Sequence, residues 1–167
     1  TLSYTLSLHD ALPISIMSYY QDLLKIMGIN FATEMVKQDK SSEIKLWRAV
    51  INNALGDVIL TLSDRKSSIK KMEVHNWIMN NDDDFQQVCY YAELEPSNVQ
   101  LQYIRAIKKG TITFTDRQIK WKKYYDNFQI LKNEKDKEER KRLRKIVEYL
   151  RKLVSDSTNK FINPLEL

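Results

Sequence analysis

The stretch SSEIKLWRAVINNALGDVILTL, Ser41 to Leu62, repeats its apolar residues every three or four positions through Ile44, Trp47, Val50, Ile51, Ala54, Leu55, Val58, Ile59 and Leu62. That is the period of an amphipathic helix, and the paired serines at its start offer an N-cap. Gly56, inside it, costs about 1 kcal/mol relative to Ala, which is expected where another helix crosses closely. The same period recurs on both sides. The chain of 167 residues has only three Gly and three Pro, too few to turn a many-stranded sheet or to build a phosphate-cradling loop. An all-α fold follows: a small helical domain with a helix-turn-helix-like hairpin and a long basic C-terminal helical extension. No apolar run approaches the roughly 18 residues of a membrane span, so no membrane partner is expected.

Upstream, YYQDLLKIMGINF places Tyr20, Leu23, Leu24 and Met27 at helical spacing, and Gly28 with Asn30 is expected to stop that helix. Downstream, Asp64 and Ser67 precede a helix running to about Met79, whose expected inward face carries Ile69, Met72, Glu73 and Trp77. His75 lies there without a second His, a Cys or a nucleophile pattern beside it, so a surface or satisfied histidine is expected rather than a metal ligand or base. Asp82, Asp83 and Asp84 lack the alternating ligands and mid-loop Gly of a calcium loop and suit a helix N-terminus instead. The one cysteine, Cys89, reads as a small buried hydrophobe. No metal, no cofactor and no catalytic constellation is expected, and the chain reads as cytoplasmic and non-enzymatic.

The segment FQQVCYYAEL, Phe85 to Leu94, puts Phe85, Val88, Cys89 and Ala92 on one helical face; Glu95-Pro96 breaks it, and Pro96 can open the next helix. That helix runs through SNVQLQYIRAIKK to Gly110, a left-handed cap preceded by Lys108 and Lys109. Residues 85–109 match a helix-turn-helix at Val88, Ala92, Leu94 and Val99. They depart from it at Glu93, where the turn takes Gly, and at Gln102, where an aliphatic residue packs. As a DNA reader, the second helix exposes Ser97, Asn98, Gln100, Gln102 and Arg105, whose amides and guanidinium suit adenine and guanine edges, with Lys108 and Lys109 on phosphates. Helical-hairpin packing with no DNA contact is the competing reading.

The order WRAVINNALGDV (Trp47 to Val58), VHNW (Val74 to Trp77) and DFQQVCYYAELEP (Asp84 to Pro96) resembles small uncharacterised proteins of phages and prophages, over roughly residues 45–110. The resemblance implies a helix-turn-helix carrier of phage or bacterial origin with a regulatory role in the host cytoplasm. It implies no catalytic residue. Glu93 and Glu95 stand where those proteins have the Gly and Asp of a Gly-Leu-Asp-Pro turn. A second resemblance concerns Ser7 to Ser15, SLHDALPIS, which is similar to a translated sequencing-adapter read. Residues 1–16 are therefore expected to be a non-native leader, with Met17 the true start and a helical core over 17–110.

Charge divides unevenly, with 9 Lys/Arg against 13 Asp/Glu in residues 1–99 and 18 against 9 in residues 100–167. A basic half calls for an acidic partner, duplex DNA first among them. In the basic extension, 111–155, Thr115 and Gln118 form a capping-box signature. Ile119, Tyr124, Tyr125, Phe128 and Leu131 interleave with Arg117, Lys120, Lys122 and Lys123, either as a core-facing stripe or as rings for single-stranded nucleic acid. KNEKDKEERKR, Lys132 to Arg142, has nothing to bury and is expected to be a solvated helical bridge or hinge. Leu143, Ile146, Val147, Leu150 and Val154 then form a stripe over 143–154 that either folds back or docks a second copy or a partner protein, as a phage structural or host-interaction protein would. Lys120, Lys123, Arg140 and Arg144 are candidate phosphate contacts, and residues 156–167 are expected to fray.

Overall fold

The computed structural model describes residue 21, residues 23–37 and residues 40–166. The adapter-like leader lies outside the described residues. The protein is mostly helical, as an all-α domain should be. Helical residues 23–27 are stopped at Gly28, whose φ of +80° suits glycine, but a further helix, α1 (Ile29–Met35), starts at once and buries Phe31, Ala32 and Met35. There follow α2 (Ser42–Ile59), α3 (Arg65–Asn80), α4 (Asp83–Tyr91), α5 (Pro96–Lys108), strand β1 (Phe114–Thr115), α6 (Asp116–Asn133), α7 (Lys137–Ser155), strand β2 (Phe161–Ile162) and a 3-10 turn at Pro164–Glu166.

The chain divides into two compact units, one of residues up to Gly56 with Trp77–Ile112, the other of Asp57–Asn76 with Thr113–Leu167. The expected boundary near residue 110 is thus only one of three, because α2 and α3 each contribute to both units.

In the first unit, Arg48 is buried and organises three elements. Its Nε donates to the Ala92 carbonyl at 3.0 Å, Nη1 donates to the Glu34 carbonyl, and Nη2 meets Glu34 Oε1 at 3.2 Å. Asp82 caps α4 by accepting from Phe85 N, and Asp84 accepts from Trp77 Nε1 at 2.7 Å while Trp77 meets Phe85 edge-on. Of the three carboxylates expected at this helix start, Asp82 is the cap and Asp83 and Asp84 stand in the first turn. Gly56 was expected to sit at a close helix crossing; a Cβ added there meets nothing within 4 Å, so the glycine lowers helix propensity without a packing return.

In the second unit, the inward face of α3 is Ser68, Lys71, Met72 and His75; of the face expected there, Met72 is buried, Ile69 is half-buried and Glu73 is exposed. Lys71 Nζ donates to the Leu60 carbonyl at 2.6 Å and lies 4.9 Å from the Phe114 ring, whose other neighbour is the His75 imidazole at 4.9 Å. Thr115 and Gln118 form the capping box of α6, and Gln118 Nε2 also donates to the Leu62 carbonyl at 2.8 Å. Residues 134–136 are the turn of a hairpin in which α7 packs back along α6, so of the helical bridge or hinge expected over 132–142 the continuous bridge is replaced by two helix ends and a break.

Residues 156–166, expected to fray, carry defined structure. Phe161 and Ile162 pair antiparallel with Thr115 and Phe114, Ser157 is buried with its hydroxyl and carbonyl held by Arg117, and Pro164 is buried.

Candidate nucleic-acid interface

The hairpin of α4 and α5 has the order of a helix-turn-helix, and its turn is a Schellman closure. Leu94 N donates to the Cys89 carbonyl at 2.9 Å and Glu93 N to the Tyr90 carbonyl at 3.0 Å. That closure requires a left-handed residue, and Glu93 supplies it at φ +53°. The turn therefore has the backbone that glycine normally fills, with the cost of a Cβ accepted. Lys40 Nζ sits 2.6 Å from Glu93 Oε2 and offsets part of it. A second closure of the same kind ends α5 at Gly110, φ +73°, with Thr111 N donating to the Ala106 carbonyl.

Pro96 opens α5, which buries Val99, Tyr103, Ala106 and Ile107. The inward position after Val99 is thus Tyr103 rather than Gln102, which explains how Gln102 is tolerated. Ser97, Asn98, Arg105, Lys108 and Lys109 are exposed and Gln102 is half-buried. Ser97 Oγ donates to Glu95 Oε1 at 2.8 Å, and Gln102 Nε2 reaches Asn98 Oδ1 at 3.5 Å. Gln100 corrects the expected set. It is half-buried and its amide donates to the carbonyls of Ile78 and Met79 at 3.1 and 3.0 Å, capping the end of α3 rather than facing outward.

Charge along this hairpin is polarised. A cleft of about 520 Å³ is lined by Glu34, Glu93, Glu95, Asn98 and Gln102, so the N-terminal end of α5 faces carboxylates. The Lys37 ammonium beside Glu34, with Arg48 behind it, holds the Glu34 carboxyl below its usual range. Arg105, Lys108 and Lys109 stand at the opposite, C-terminal end of the helix.

The larger cationic surface is in the second unit, where residues 57–76 and 113–167 carry 19 Lys/Arg against 12 Asp/Glu. Asp136 caps α7 by accepting from Glu139 N, and Leu143, Val147, Leu150 and Val154 form its buried stripe. With that stripe inward, Arg140, Lys141, Arg144, Lys145, Arg151 and Lys152 are exposed, and among the described residues none has a carboxylate within 4.0 Å. Of the α6 candidates, Lys123 is exposed and Lys120 is paired with Asp116 at 2.6 Å. Of the two outcomes left open for the stripe over residues 143–154, folding back is the one seen: Leu143, Val147, Leu150 and Val154 are covered rather than left for a second copy or a partner protein.

Other chemistry finds little support in the geometry. Cys89 is buried, and desolvation, with Glu95 adding, pushes its thiol up to about 12, the wrong direction for a nucleophile. Burial lowers His75 to about 4, which keeps it neutral. Among the described residues no cluster of His, Cys, Asp or Glu could hold a metal ion, and no helix is long and apolar enough to cross a membrane. Comparison with protein families, characterised proteins and solved structures gives no match.

Proposed function

We propose that the chain is a DNA-binding protein of regulatory type, acting on duplex DNA in a bacterial host cytoplasm, with the phage-like segments of residues 45–110 pointing to a phage origin. The observation that carries this is the solvent face of α7, where six lysines and arginines lie without carboxylate partners among the described residues. Such a face gains most from a polyanion, because each phosphate it neutralises releases condensed counterions. The α4–α5 hairpin contributes positioning. Its cationic end, Arg105, Lys108 and Lys109, contacts phosphates, and Ser97, Asn98 and Gln102 exchange their bonds to Glu95 and to one another for base edges. Glu93 and Glu95 keep the first turn of α5 from pressing deep against the backbone, so affinity rests on α7 more than on the hairpin.

The test is a gel shift on duplex DNA at low salt with Arg105→Ala, Lys108→Ala and Lys109→Ala combined. Weakened binding with a helical spectrum unchanged supports the reading; unchanged affinity removes the hairpin from the interface. Retention of a protein partner at high salt, with no DNA retained, favours the interaction-protein alternative.

A further inference from the structure

Where the N-terminal end of α6 meets the C-terminal end of α7, a groove of about 400 Å³ is lined by Ser63, Asp64, Arg117, Trp121, Arg151 and Ser155, all in the second unit. Two cations and one indole share it. Arg117 is fixed, because Ser157 takes its Nε and Nη2, while Nη1 keeps its donors. Arg151 is exposed and has no ion-pair partner among the described residues. The one carboxylate, Asp64, is turned to a helix start, accepting from Ser67 N at 3.1 Å, and those amide bonds hold it below its ordinary range.

Trp121 heads a row of rings along α6. It meets Tyr124 edge-on at 5.8 Å, and Tyr124 stacks on Phe128 at 6.1 Å; Trp121 and Tyr124 are half-buried and Phe128 is at the exposed limit. A row fully enclosed by α7 would be a core stripe, and one fully open would be costly in water. Trp121, the ring of this row that lines the cationic groove, is left half-buried there and suits a flat π-system carried on an anionic backbone. Arg144 and Arg151 are seven residues apart on α7, so they lie on the same side of the helix about 10 Å apart along its axis.

We infer that this groove binds single-stranded nucleic acid, with an unstacked base on Trp121 and its phosphates on Arg151 and Arg117. The inference rests on the reading of the chain as a nucleic-acid-binding protein and shares Arg151 with the cationic face of α7, but it concerns a different substrate form. Duplex DNA does not satisfy it, since paired bases are already stacked on one another.

The test is fluorescence anisotropy with a labelled dodecamer of deoxythymidine and, separately, a duplex, on the whole protein at low salt. Trp121→Leu keeps apolar bulk without a ring and should weaken single-strand binding by about five-fold or more, while Trp121→Phe keeps most of it. Arg151→Ala should reduce the single-strand salt slope by about 0.7. Duplex affinity should be little changed by Trp121→Leu. If Trp121→Leu binds the single strand as tightly as the parent while duplex binding persists, the groove assignment is overturned and the DNA reading stands. If the parent retains neither nucleic acid at low salt, both fall together.

Discussion

Arg48 Nε lies 3.0 Å from the carbonyl oxygen of Ala92, the residue that ends α4 immediately before the left-handed Glu93. One buried guanidinium therefore holds the helix-turn-helix-like turn from below while its other nitrogens hold the end of α1 through Glu34. Replacing it leaves buried carbonyl oxygens without donors. Arg48→Met should lower stability by about 2–4 kcal/mol in urea titration. A loss under half a kcal/mol would show that the carbonyls find other partners.

Glu93 bears the opposite signature, a residue paying for its backbone. Glu93→Gly removes Cβ strain of about 1 kcal/mol but also the ion pair with Lys40, which at this exposure contributes less. Thermal melting should show a net gain for Glu93→Gly, and a larger gain when it is made in a Lys40→Ala background. A lowered melting temperature in both backgrounds contradicts this view of the turn.

Gly56 offers a simpler gain. Its φ is helical and an added Cβ meets nothing within 4 Å, so Gly56→Ala should raise stability by about 1 kcal/mol, measurable as a higher urea midpoint with unchanged slope.

Two buried bases give pH dependences of stated sign. His75 is held near 4 in the folded chain against an ordinary 6.5, so between those values the unfolded chain binds the extra proton. Its contribution to stability is complete above about pH 6.5 and declines as pH falls toward 4, by at most about 1.4 kcal/mol per unit. Between pH 6.5 and 5, above the usual carboxylate range, His75→Gln should flatten the fall. Lys71 is lowered by burial to about 8 from 10.5, so stability should rise as pH climbs through that interval, and Lys71→Met should abolish the rise. Parallel profiles for parent and variants would contradict both assignments.

What could be read from the chain was whatever depended on neighbours a few residues away. Asp82 before α4, the Thr115–Gln118 box, Pro96 opening α5 and Gly110 closing it are each set by local hydrogen bonding or by φ. What could not be read depended on distant partners. Lys71 looks like a surface residue until the Leu60 carbonyl and Phe114 are placed beside it, and Gln100 looks like a base reader until α3 ends against its amide. The pairing of Phe114–Thr115 with Phe161–Ile162 has no signal in two-residue strands so far apart in sequence. In the candidate interface, the basic face of α7 was legible from its apolar period, whereas the direction of its stripe was not, because folding back on α6 and docking elsewhere demand the same pattern.

The most direct measurement is the salt dependence of duplex binding, log Kobs against log of salt concentration, for the parent and for Arg140→Ala with Arg144→Ala. Both side chains are exposed and make no ion pair among the described residues, so the fold should survive their loss. Loss of two phosphate contacts should make the slope shallower by about 1.8 and weaken binding at low salt across unrelated sequences alike. An unchanged slope and affinity would mean that α7 touches no phosphate, and the charge on its face is there for water alone.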